Sequence, residues 1–198
     1  MNIKLNSHPK KYFERLDQAK KELDCKKIVK LILKIKKMIG TKGTIFIAGN
    51  GGSAALSSHM ACDLGKTILG NKPRLNNNRL RVISLVDNVS LITAWANDEG
   101  YKYIFSEQLK SLAKKGDFLI VISASGNSEN IVELVEIAKK MDLETFGVLG
   151  FNGGKVRKIV DDYILAESND YGVIEDLHTI IVHLITDWFK YEEQINNK

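Results

Sequence analysis

From residue 44 onward the sequence alternates between short apolar runs and stretches of helical spacing, and this alternation leaves few folds open. The runs are Thr44 to Ile47, Arg81 to Leu85, Phe118 to Ile122, Glu144 to Leu149 and Tyr163 to Ala166. Between and after them lie Ala54 to Lys66, Ser90 to Ala94 with Tyr103 to Ala113, Asn130 to Lys140, Lys155 to Val160, and Ile174 to Tyr191. Short apolar strands separated by helices pair in parallel and are covered on both faces. The expected fold is α/β: a doubly wound, five-stranded parallel sheet sandwich. Residues 1–42 read as an N-terminal helix pair, near Pro9 to Leu23 and Lys26 to Ile39, ended by Gly40 and Gly43. No repeat or low-complexity linker divides the 198 residues, so one domain is expected over 1–198, with the α/β core at 43–198.

Two turns in this frame carry chemistry. The third apolar run leads into Ser123-Ala124-Ser125-Gly126-Asn127-Ser128, and an amphipathic helix leads out. Unpaired N–H groups at a helix start, together with the positive end of the helix dipole, favour an anion, and serine hydroxyls add donors that can wrap a phosphate. Ser128 can equally serve as an ordinary N-cap. The first run leads into Ala48-Gly49-Asn50-Gly51-Gly52-Ser53, whose glycines permit a tight backbone and close ligand approach. Two such turns in one parallel sheet face the same edge. The spacing is not G-x-G-x-x-G, so the dinucleotide fingerprint is absent.

Composition narrows the partners. The net charge is +5, and lysines crowd the N-terminal region at Lys10-Lys11, Lys20-Lys21, Lys26-Lys27, Lys34 and Lys36-Lys37. They alternate with Ile28, Leu31, Ile32, Leu33, Ile35 and Ile39 at helical spacing, the pattern of a solvated face rather than a nucleic-acid stripe. No nucleic acid and no membrane partner is expected, since no run is long enough to span a bilayer and the amino terminus does not read as a signal peptide. A cytoplasmic location is the expectation. Cys25 and Cys62 lack metal-ligand spacing and read as reduced packing residues. The segment Gly70 to Arg79, with Lys72, Arg74 and Arg79, reads as a polar solvent loop, and His8 as a surface residue at the start of the first helix. Tyr12, Phe13 and Leu16 give the helix pair more apolar surface than one sheet edge consumes, which points to an oligomer.

Gly49-Asn50-Gly51-Gly52-Ser53, Ala96-Asn97-Asp98, Ser123-x-Ser125-Gly126-Asn127-Ser128 and Glu175-x-x-His178 with His183 together resemble the sugar isomerase (SIS) family, closest to its phosphoheptose isomerases. The resemblance covers nearly the whole chain. It implies the SIS sandwich, a homotetramer with active sites at subunit interfaces, and conversion of sedoheptulose 7-phosphate to D-glycero-D-manno-heptose 7-phosphate for surface polysaccharide synthesis. It also implies substrate and phosphate contacts from Asn50, Gly51, Gly52, Ser53, Asn97, Asp98, Ser123, Ser125, Asn127, Ser128 and Glu175. Asp63 stands where the family usually has a glutamate base, and Glu175 where it has a glutamine. The usual aspartate after the second strand falls on Asn88, with Asp87 one residue away, and Lys66 is near the place of an arginine.

Isomerisation of a ketose needs a base to move a proton between C1 and C2 and an acid to shuttle protons between the oxygens. Asp63 and His183 are the expected catalytic pair. His59 and Asp63, at i and i+4, share one helix face. His59, Asp63, Glu175 and His183 form a donor set suited to Zn²⁺, held at these positions in some family members. Eight residues of helix separate Glu175 from His183 by about 12 Å, which strains that fourth ligand. His178, one helical turn after Glu175, reads as a packing residue or as one that supports the site's own side chains. A different reading, a non-catalytic SIS module that binds a phosphosugar or a protein partner, stays open beside isomerisation of another phosphosugar.

Overall fold

The computed structural model describes residues 3–69 and 79–196. The loop expected at Gly70 to Arg79 therefore lies, up to residue 78, outside the described residues. Two helices, α1 (Ile3–Lys21) and α2 (Cys25–Met38), precede the sheet. Asp24 caps α2 by accepting a hydrogen bond from the Lys26 backbone N–H. The first helix begins earlier than its sequence implies, so Pro9 lies inside it and His8 is an exposed residue of its second turn rather than a neighbour of its start.

The strands are β1 (Thr44–Gly49), β2 (Arg81–Ser84), β3 (Phe118–Ser123), β4 (Glu144–Gly150) and β5 (Asp162–Ala166). They form one all-parallel sheet in the order β2-β1-β3-β4-β5. The remaining helices are α3 (Gly52–Gly65), α4 (Val89–Asp98), α5 (Ser106–Leu112), α6 (Glu129–Lys140) and α7 (Tyr171–Asn196). Lys155 to Val160 makes only a single 3-10 turn, Val156–Lys158, where a helix is expected; left-handed Gly153 and Gly154 bend the chain first, leaving too few residues before β5.

Alternation along the strands sorts the core into two layers. Ile45 and Ile47 of β1 pack with α2, α3 and α7 through Leu31, Ile35, Met60, Leu64, Ile181 and Ile185. Phe46 and Ala48 face the other way, onto Leu109 of α5 and Ile131, Leu134 and Val135 of α6. A third cluster joins α1 to the start of α7, with Ala19 against Val173, Ile174 and Leu177.

The lysine face of α2 is used differently from its sequence reading. Lys27 and Lys30 pair with Asp162, Lys34 with Glu144 and Lys36 with Glu192, stapling the helix to the N-terminal edge of the sheet and to α7. Burial pushes the Asp162 carboxyl up, but the hydrogen bonds from Lys27 and the Tyr163 backbone outweigh it and hold the group below the usual carboxylate range. Cys25 and Cys62 are reduced, yet both are exposed rather than packed: Cys25 opens α2 beyond its cap, and Cys62 faces a surface groove beside β2. Among the described residues no helix is long and apolar enough to cross a membrane.

Candidate active site

The strand order reverses direction between β1 and β3, and the loops leaving their carboxyl ends diverge there to open a crevice where α/β sheets bind ligands. The two turns singled out in the sequence are those loops. After β1 the chain closes so tightly that a Cβ on Gly49 would stand 2.6 Å from the Ser53 carbonyl oxygen. Gly51, in the left-handed region, takes the N-cap position of α3, and among the described residues no side chain caps that helix. Its first N–H groups are thus left for a ligand.

The turn after β3 is held by its own serines and by the chain that follows β4. The hydroxyl oxygens of Ser123 and Ser125 accept from the backbone N–H of Gly126 (3.1 Å) and Asn127 (3.2 Å). Asn127 donates to the Ser125 carbonyl and accepts from the Lys155 N–H, and Val156 N–H donates to the Gly126 carbonyl. Gly126 is left-handed, and any side chain there would collide with the Gly153 carbonyl. An oxygen that accepts inside the turn keeps its own O–H to donate outward. Ser128 occupies the N-cap position of α6 without making a side-chain cap bond, so the simple capping role is not the one it fills.

A pair of amides ties the two turns together. Asn50 and Asn130 exchange reciprocal hydrogen bonds of 2.9 Å, and Tyr101 donates to Asn50 Oδ1 at 3.2 Å. Sequence reasoning missed Asn130 and Tyr101. The available signal was a polar residue two places past Ser128, on a helix start that is otherwise apolar on its inner side. Asn97 and Asp98 sit on the exposed last turn of α4 and hydrogen-bond to each other. Asn88 is the N-cap of α4, accepting from Leu91, and Asp87 accepts from the Ser58 hydroxyl. Lys66 is the exposed C-cap of α3.

Helix α3 runs from the first turn to a second cluster, joined there by α7. His59 Nε2 stands 3.0 Å from His183 Nε2 and 3.5 Å from Asp63 Oδ2. Both imidazoles are exposed, while Asp63 is buried and accepts from the Thr186 hydroxyl at 3.0 Å. One donor atom from each of His59, Asp63 and His183 falls within 4.8 Å of the other two. Two imidazoles and a carboxylate so placed fit a catalytic Zn²⁺ site, which takes three protein ligands and leaves a position open. Glu175, the fourth ligand named from the sequence, is not in this group. Its carboxylate lies against Gly52 at the first turn of α3, where the helix dipole favours an anion.

His178 lies between these regions on α7, 1% exposed, and among the described residues neither ring nitrogen has a hydrogen-bond partner. It lines a cleft of about 230 Å³ with Ser53, Glu175 and Thr179. Burial pushes its pKa down to about 4, and the nearby Leu149 backbone offsets only part of that. The ring is neutral, consistent with packing.

A family model described as SIS domain matches residues 10–150. The "Probable phosphoheptose isomerase" of Thermoplasma acidophilum is 36% identical over 177 residues, covering 89% of this chain and 94% of its own. The phosphoheptose isomerase of Helicobacter hepaticus is 39% identical over 150 residues, 76% of this chain and 74% of its own. The solved structure of the phosphoheptose isomerase GmhA from Neisseria gonorrhoeae superposes with a TM-score of 0.82 at 27% identity, covering 95% of this chain and 97% of that one. The chain belongs to the SIS domain family, and its similarity to named phosphoheptose isomerases covers most of its length.

Proposed function

We propose that this chain interconverts sedoheptulose 7-phosphate and D-glycero-D-manno-heptose 7-phosphate through an enediolate. Membership of the SIS family and similarity to named phosphoheptose isomerases over most of the chain make it a phosphosugar isomerase. The observation that carries the finer reading is the convergence of His59, Asp63 and His183 at the far end of the helix that starts from the first turn. Six residues from Ser53 to His59 are about 9 Å of helix rise, a span of the order a heptose 7-phosphate needs between phosphorus and its reacting carbons.

In this reading the phosphate sits on the N–H groups opening α3 and α6 and takes hydrogen bonds from Ser53, Ser123, Ser125 and Ser128. Asn50, held by Asn130 and Tyr101, orients the sugar. Asp63 carries the proton between C1 and C2, and His183 moves protons between O1 and O2. His59, Asp63 and His183 would hold Zn²⁺, which when bound supplies Lewis acidity to the sugar carbonyl and its enediolate but competes for the Asp63 carboxylate as a base. Phe13, Val29, Leu33 and Leu184 are large exposed apolar residues on α1, α2 and α7, and this supports a homotetramer assembled through the helical layer. The non-catalytic alternative is disfavoured by the presence of both a carboxylate and an imidazole at the cluster.

The test is isomerisation of sedoheptulose 7-phosphate by the purified protein, metal-stripped and with zinc restored, beside other ketose phosphates. Turnover lost in Asp63→Asn is the expected result. Phosphosugar binding with no turnover on any ketose would replace the isomerase with a binding module.

A further inference from the structure

Asp63 reaches less far than the glutamate usual at its position, and an aspartate carboxylate rotates over a broad, two-fold range about its last torsion. A short base that turns freely is a poor base, because the reacting geometry tolerates little misplacement. The structure supplies what would stop that rotation. Thr186 is 4% exposed on α7, and its Oγ1 lies 3.0 Å from Asp63 Oδ2 and 3.0 Å from the Val182 carbonyl one helical turn back. A β-branched side chain in a helix has few χ1 choices, and the one seen here sets Oγ1 between the Asp63 carboxylate and the Val182 carbonyl. Of the two acceptors, the carboxylate makes the stronger, charge-assisted bond with the single hydroxyl proton.

We propose that Thr186 is a positioning residue that locks the Asp63 carboxylate, engaging Oδ2 so that Oδ1 is the oxygen presented to the sugar's C1–C2 proton. His59 Nε2 approaches the same Oδ2, at 3.5 Å, so both neighbours act on one oxygen and leave the other for substrate. The role is distinct from packing. A threonine at this place, on the face shared by Val182 and Phe189, would otherwise bury a hydroxyl where a valine fits. The proposal rests on the reading of Asp63 as the base, and the variants below separate the two.

The experiment measures kcat and KM for sedoheptulose 7-phosphate in Thr186→Val, Thr186→Ser, Asp63→Asn and the Asp63→Asn/Thr186→Val double variant, with thermal unfolding of each. Thr186→Val is expected to lower kcat by about 10- to 100-fold while KM moves less than about twofold, and Thr186→Ser to restore most of kcat. In the Asp63→Asn background Thr186→Val is expected to have no further effect, since it acts through that carboxylate. Wild-type kcat in Thr186→Val beside a dead Asp63→Asn overturns the proposal and leaves the base reading intact. Normal turnover in Asp63→Asn overturns both. If Thr186→Val lacks a cooperative unfolding transition, Thr186→Ala replaces it: loss in Ala with retention in Ser supports the lock, and equal behaviour of the two overturns it.

Discussion

The turn after β3 is shaped by its own backbone, two serine oxygens and a left-handed glycine, and is braced by the Lys155 and Val156 N–H groups after β4. The His59, Asp63 and His183 group is made the opposite way, from side chains on two helices, with His59 and His183 separated by 124 positions. The proposed anion end therefore draws its shape from loop backbone and the starts of α3 and α6, while the proposed reacting end exists only where α3 and α7 pack in register. The two ends should separate cleanly in kinetics: damage to the first should appear in KM, and damage to the second in kcat.

The largest expected effect breaks the reacting end. His183→Ala should lower kcat by about 10²- to 10⁴-fold, the usual contribution of a positioned acid or base, with KM little changed. Steady-state kinetics over a range of substrate concentration decide it. Near-normal kcat would remove His183 from proton transfer and collapse the division between the two ends.

Ser125→Ala is the reciprocal test. Loss of one hydrogen bond to a charged phosphate, about 1.5–3 kcal/mol, should raise KM by roughly 10- to 100-fold and leave kcat within a few-fold. Part of that loss belongs to the turn itself, because the Asn127 N–H also loses its acceptor. A fall in kcat as large as the rise in KM would mean that the turn positions the reacting carbons as well as the phosphate.

The same contrast explains what could be read from the chain. The shape of the proposed anion end is legible because its pieces are contiguous: a strand, a small-residue turn and a helix start are a local pattern. The sheet was legible too, since runs such as Phe118 to Ile122 are apolar at every position and can only be buried on both faces. At the reacting end, His59 with Asp63 follows from i, i+4 spacing, but their meeting with His183 rested on family resemblance, because helix packing is not written in any local pattern. Thr186 escaped for the same reason: beside Ile185 and Trp188 it reads as an interruption of an apolar face, and only the packed structure shows Asp63 opposite. Glu175 was placed with the metal ligands by that resemblance, whereas the rise between it and His183 sets the two carboxyl and imidazole groups at different ends of the site.

A smaller effect asks how firmly the two helices hold the reacting end together as pH falls. His178 sits on α7 between the ends, buried and without a hydrogen-bond partner among the described residues, with its pKa held down to about 4. In the unfolded chain it returns to about 6.5, so between these values the unfolded state binds a proton that the folded state refuses. Its contribution is fully present above about pH 6.5 and is lost as the pH falls toward 4. At pH 5 the loss is about 2 kcal/mol from this group. His178→Leu, which keeps the volume apolar, should flatten that part of the pH dependence while leaving the pH 7.5 stability nearly as it was. Urea unfolding of both proteins at pH 7.5 and pH 5 measures the difference. Equal losses in wild type and His178→Leu would mean that the ring is protonated inside the fold, and then the neutral contact between the two ends would have to be replaced by a charged one.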